Sequence, residues 1–247
     1  MKTLVISPDD LKMFHRTGAF GIACVILWVA QFPLWLVGNA PSVYDGAAFG
    51  NHLFTIRNIA FTRILLDQGI YVAMIVFAAG LRHLIQRARA EYEWAGTLVF
   101  GSALVWIAVT LVADGLEGGA VLDTLGGRTD ASAVRALVEG TLLIYNGSIA
   151  FAITAMFLGA AGYATFATGV LPRWTGWVAY IGTVLCAICV PAMYGGAVDY
   201  AGFYNAGGWS PTIVANFPPL IWFLVVSGWM IRRHETVASV SSRAELT

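Results

Sequence analysis

Apolar residues fall along this chain in long runs, and six of them approach or exceed the roughly 20 residues an α-helix needs to cross a bilayer. The pattern predicts spans near residues 17–38, 58–81, 94–113, 134–163, 176–198 and 211–231. Ser7-Pro8-Asp9-Asp10 reads as the start of a short interfacial helix, with serine as N-cap, proline at the first position and acids on the positive dipole end. The apolar stretch before it is too short for a cleavable signal. A polar loop over 41–57, a short basic loop over 82–93 and a small-residue stretch ending in the capping signal Asp130-Ala131-Ser132 connect the first four spans. The fold class is therefore an all-α polytopic membrane bundle of six transmembrane helices. A single domain over 1–235 is expected, followed by a flexible Ser-rich tail over 236–247.

The polar positions inside these runs carry the functional reading, because ionisable groups at membrane depth are costly and mark candidate sites. The central stretch, Val134 to Trp177, reads as one long helix with a basic, aromatic stop. Arg135, Glu139 and Asn146 fall on it within about 40° of one another, forming one polar stripe. The second span holds Arg63 and Asp67, an i, i+4 pair able to neutralise itself. The third ends in Asp114 and Glu117, which share a face. Gln31 and Pro33 lie in the first span, Pro191 in the fifth, and Asn216 with Pro218-Pro219 in the sixth.

Basic residues set an expected orientation. Lys2, Lys12, Arg16, Arg82, Arg87, Arg89, Arg173, Arg232, Arg233 and Arg243 fall on one side, against Arg57, Arg63, Arg128 and Arg135 on the other. By the positive-inside rule both termini are cytoplasmic. Asp45, Asp67, Asp114, Glu117, Asp123, Asp130, Glu139 and Asp199, with Gln31, Asn146, Asn216 and the helix-breaking prolines, then fall on the outer side or in the outward halves of the spans. Kinked helices expose carbonyls that are tolerated at depth only against protein or in a water-filled cavity. The expected architecture is a bundle closed at its cytoplasmic end and splayed outward around a polar cavity. Glu139, Asn146, Asp67, Arg63, Asp114 and Gln31 are the candidate ligand-binding residues. Each has a plainer alternative: Asp114 and Glu117 as solvated helix-end acids, Arg63 and Asp67 as a self-paired couple, Glu139 as a partner for arginine, and the prolines as packing features.

Composition narrows the class. With 58% hydrophobic and 11% charged residues and zero net charge, the chain lies far from the soluble norm of about 25% charged, and nothing in it suits nucleic acid. Cys24, Cys186 and Cys189 all sit in apolar helices, where Cys186-x-x-Cys189 reads as packing rather than a redox motif. No histidine pair suits haem, no lysine within a span suits a retinal Schiff base, and no phosphate loop or zinc motif occurs, so no cofactor or metal is expected.

The six-helix layout, the Gly/Ala-rich fourth helix and the segment Leu171-Pro172-Arg173-Trp174-Thr175-Gly176-Trp177 together resemble a group of uncharacterised bacterial integral membrane proteins, classed as a domain of unknown function. The resemblance implies a multi-pass protein of the bacterial inner membrane and brings no activity with it. Three functions fit the residues: a protein that binds or handles a small or lipophilic ligand in the outward cavity, an accessory subunit of a larger membrane complex, and an intramembrane acid–base enzyme acting on a lipophilic substrate. The lipid bilayer and a lipophilic small molecule are the expected partners, together with a second copy or another membrane subunit.

Overall fold

The computed structural model describes residues 8–37, 40–126, 129–145 and 148–244. It is all-α, with no strand among the described residues, and six of its helical segments are long and apolar enough to cross a membrane. The helices are α1 (Pro8–Trp35), α2 (Gly46–Ala88), α3 (Glu93–Leu125), α4 (Ala131–Tyr145), α5 (Ser148–Thr168), α6 (Arg173–Cys189) and α7 (Trp209–Ala244). A single 3₁₀ turn, Ala90–Tyr92, joins α2 to α3, and a longer one, Val190–Gly195, follows α6 at Pro191.

Neighbouring helices close a ring in the order α1, α2, α3, α5, α6, α7 and back to α1. Arg87 at the end of α2 pairs with Asp10 at the start of α1 (3.4 Å), and the Arg233 guanidinium lies over the Phe14 ring (5.1 Å). The start of α1 and the Arg233 turn of α7 therefore share one face of the bundle, called here the near face. At the far face the Tyr44 hydroxyl accepts from the Val198 amide (2.8 Å).

Small residues let α1 approach its neighbours near the near face. A Cβ on Gly21 would stand 1.9 Å from the Ser227 hydroxyl oxygen, and one on Gly80 would stand 2.2 Å from that of Thr17. Above this contact Phe77, Phe157, Trp222 and Phe223 interlock with centroid separations of 4.8–5.9 Å and no measurable exposure. This aromatic plug fills the middle of the ring.

The far half departs from the sequence pattern in three places. The segment 46–57, read as loop, is the start of α2, capped by Asp45 accepting from the Ala48 amide (3.0 Å). The expected helix end at 113 is absent, since α3 runs on to Leu125. The single long fourth helix is two elements, α4 and α5. One physical cause underlies the first two. At 43 and 33 residues, α2 and α3 are about 65 and 50 Å long at 1.5 Å per residue, well beyond the roughly 30 Å hydrocarbon core. Their projecting ends bury Phe49, Leu53, Ile56 and Ala60 against Ala120 and Val121, with Val134, Val138 and Leu142 of α4 completing a second core. Tertiary burial of these helical stripes outweighs the small, polar local composition. α7 is helical to Ala244, past Arg232, where the pattern alone ends it and a flexible tail over 236–247 is expected.

Proline placement has a partner in the core. Pro219 cannot donate to the carbonyl four residues back, that of Ala215. The buried Cys186 thiol donates to that oxygen instead (3.4 Å), a weak bond that satisfies a carbonyl inside the bundle.

Candidate functional site

Between the aromatic plug and the far face the ring encloses a cavity of about 480 Å³. α1 contributes Trp28, Gln31, Phe32 and Trp35, with Leu36 just past its end, and α2 contributes Asp67, Ile70, Tyr71 and Met74. Trp106, Ile107 and Thr110 come from α3, Tyr145 from α4, Ala150, Phe151 and Thr154 from α5, and Thr212, Ala215, Asn216, Phe217 and Pro219 from α7. α6 stays outside the lining. Most of the wall is aromatic or aliphatic, with Trp28 edge-on to Trp106 at 6.0 Å deep in it. Phe32 stacks on Phe217 at 5.4 Å across the α1–α7 seam, and Trp35, Leu36 and Phe217 leave the rim exposed and apolar.

The polar patch sits on one side, where α1, α2, α3 and α4 meet. Gln31 is buried and donates through Nε2 to Asp67 Oδ1 (2.6 Å) and to the Arg63 carbonyl (3.3 Å). Asp114 faces the same stretch of α2 from α3. Asp114 accepts from the Tyr71 hydroxyl (2.8 Å) at Oδ2, where Gln68 Nε2 also donates at 3.4 Å, and from the Tyr145 hydroxyl at Oδ1. Asp114 receives three side-chain donors from its surroundings and Asp67 one. One turn away Arg63 forms a buried salt bridge with Glu117, its guanidinium lying 4.0 Å from the centre of the Trp35 ring.

This arrangement corrects two expectations. Arg63 and Asp67 do not neutralise each other: Glu117, brought in from α3, takes the arginine, and Asp67 turns to Gln31 and Asp114. Glu139 does not reach the cavity. It lies on the outside of α4, paired at 2.9 Å with Arg135, whose guanidinium covers the Tyr44 ring (4.5 Å). Because α4 packs its apolar face on α2 and α3, the Arg135–Glu139 stripe points away from the ring. Asp67 and Gln31 line the cavity, Asp114 stands directly behind Asp67, and Arg63 flanks the patch. Asn146 lies outside the described residues.

Tyr71, Tyr145, Thr110 and the tryptophans were not singled out in the sequence. A signal for two of them exists there. Arg63, Asp67 and Tyr71 follow at i, i+4 and i+8, and Thr110, Asp114 and Glu117 at i, i+4 and i+7, so each acid shares its helix face with a hydroxyl one turn away. Among the described residues no cluster of three or more histidine, cysteine or acidic side chains is placed to hold a metal ion. No family model, curated protein or solved structure matches the chain.

Proposed function

We propose that the protein binds a small amphipathic or lipophilic molecule in this cavity, within a bacterial inner membrane, with both termini cytoplasmic and the cavity opening outward. The observation carrying the reading is the cavity itself. Its volume of about 480 Å³ falls within the roughly 300–1,000 Å³ typical of small-molecule sites, and it has the usual make-up of an apolar wall with a few convergent polar groups. The exposed apolar rim suits a ligand arriving from lipid. The orientation is supported by Arg87, Arg89 and Arg173 at the near-face ends of α2 and α6, and by Arg233 on the near-face turn of α7.

The test is thermal unfolding of the purified protein in lipid nanodiscs, with and without an extract of bacterial lipids and hydrophobic metabolites, followed by mass spectrometry of what co-purifies. A ligand at 100 times its Kd stabilises by about 2.7 kcal/mol. Thr154→Trp, which places an indole in the cavity, removes the stabilisation and the co-purifying molecule. Equal behaviour of the two proteins with every extract rejects the reading. The same carboxyl pair, flanked by Tyr71 and Tyr145, also has the parts of an acid–base centre. Conversion of an extract component by the wild type but not by Asp114→Asn distinguishes that use from binding alone.

A further inference from the structure

Resting on the binding reading, we propose that the cavity's ligand is a lipophilic cation, and that Asp67 receives it by giving up a proton it shares with Asp114. The first support is the charge around the patch. Arg63 and Glu117 cancel within their own salt bridge. What remains is Asp67 in the wall with Asp114 close by on α3, and among the described residues no lysine or arginine lines the cavity to balance them. An anion entering would meet a buried carboxylate in a water-poor space, where like charges repel strongly. Among the described residues the groups around Asp67 are Arg63 and Tyr71 on its own helix, Gln31 on α1, Asp114 and Glu117 on α3 and Tyr145 on α4. None of them except Arg63 is cationic, and Arg63 is taken.

The wall supplies the second support. Trp28, Trp106, Tyr71 and Phe151 present aromatic surface to the same space, and aromatic faces attract cations by about 0.5–2 kcal/mol each, most where water is excluded. The protein already uses this contact beside the site, where the Arg63 guanidinium lies on Trp35. Charge balances in the exchange. Before it the pair holds one proton and carries one negative charge; afterwards both carboxylates are ionised, the cation stands beside them, and the proton has left to solvent. Asp114 keeps its donors from Tyr71, Tyr145 and Gln68 throughout, so Asp67 alone changes state.

Tetraphenylphosphonium tests the proposal, because its charge is permanent and any proton released comes from the protein. Tetraphenylborate has nearly the same shape with the opposite charge. In nanodiscs of neutral lipid the wild type is expected to bind the phosphonium saturably and to release about one proton per cation into weakly buffered solution. Its apparent Kd falls about tenfold per pH unit while the shared proton is bound, by reciprocal linkage. The borate binds at least tenfold more weakly, and Asp67→Asn lowers phosphonium affinity at least tenfold. Binding of both ions alike, binding without proton release, or no phosphonium binding overturns the proposal. Proton release and the comparison of the two ions need only the wild type, so the test stands even if Asp67→Asn does not fold. If the extract assay still finds a ligand, only the cation assignment fails; if neither finds one, the binding reading fails as well.

Discussion

Replacing Glu117 by glutamine tests the Arg63–Glu117 bridge, the most buried charge pair in the far half of the bundle. The two side chains are 7% and 9% exposed, so neither ion is hydrated to any useful extent. Removing one partner of such a pair costs about 3–5 kcal/mol, chiefly because the other charge stays buried without compensation. Here two features set the size. The Trp35 face keeps its cation–π contact with the orphaned guanidinium, worth about 0.5–2 kcal/mol. Against that, Arg63 Nε already lacks a hydrogen-bond partner, so the arginine has little else to fall back on. The expected loss for Glu117→Gln is about 2–4 kcal/mol. Replacing both residues, as Arg63→Met with Glu117→Leu, removes the ions together and should recover most of it. Reversible unfolding of the three proteins in mixed micelles, read by tryptophan fluorescence, completes a double-mutant cycle. A loss under about 1 kcal/mol for the single variant, or a double variant less stable than the single, refutes the assignment of a buried, mutually dependent pair.

Three further outcomes follow from the same structure. A cysteine introduced at Gln86, exposed at the end of α2, should react with a membrane-impermeant thiol reagent only from the cytoplasmic side; the native thiols are all buried and give little background, and labelling from outside intact cells reverses the orientation. Gly21→Leu should destabilise the bundle by about 1–3 kcal/mol or more through overpacking against Ser227 and Phe77, and an unchanged melting temperature refutes the close α1–α7 approach. At the start of α4 the Ser132 hydroxyl and the Ser132 and Ala133 amides bond to Asp130 and hold its carboxyl below the usual carboxylate range. A depressed folded value means this cap stabilises above the unfolded value of about 3.9 and is lost as pH falls through the folded one. Amide protection in the first turn of α4, measured against the intrinsic exchange rate at each pH, should fall below that pH, and this fall should be absent in Asp130→Ala.

The membrane-crossing skeleton was legible because hydrocarbon-facing helices need long apolar runs and nothing else in the chain imitates them. The grouping of Gln31, Asp67 and Asp114 was legible for a related reason: an acid or amide inside such a run has few places to go except the middle of the bundle. What stayed hidden was pairing. Arg63 has Asp67 one turn away and Glu117 54 residues away, and local spacing favours the first; the rotation of α3 against α2, set by contacts along their whole length, brings in the second. Glu139 misled for a like reason. Its stripe with Arg135 is genuine, but the apolar stripe on the other side of α4 decides which way it faces, and that depends on the projecting ends of α2 and α3. Those ends were themselves obscured by glycines such as Gly46 and Gly50, which look like loop residues. A Cβ on Gly46 would come within 2.3 Å of the Ala131 carbonyl, so the glycine marks a close helix contact instead.

The ring of helices is shut by contact between its first and last members, α1 and α7. During synthesis α1, α2 and α3 reach the membrane early, with Gln31, Asp67 and Asp114 already in their spans, while Asn216, Phe217 and Pro219 are still inside the ribosome. For that interval the carboxyl pair has lipid or a transient chaperone where its sixth wall belongs. A nascent chain arrested before residue 209 therefore presents a half-open, acid-bearing groove to the bilayer. Intramembrane quality-control proteases that recognise exposed polar groups should clear such a chain faster than the finished protein.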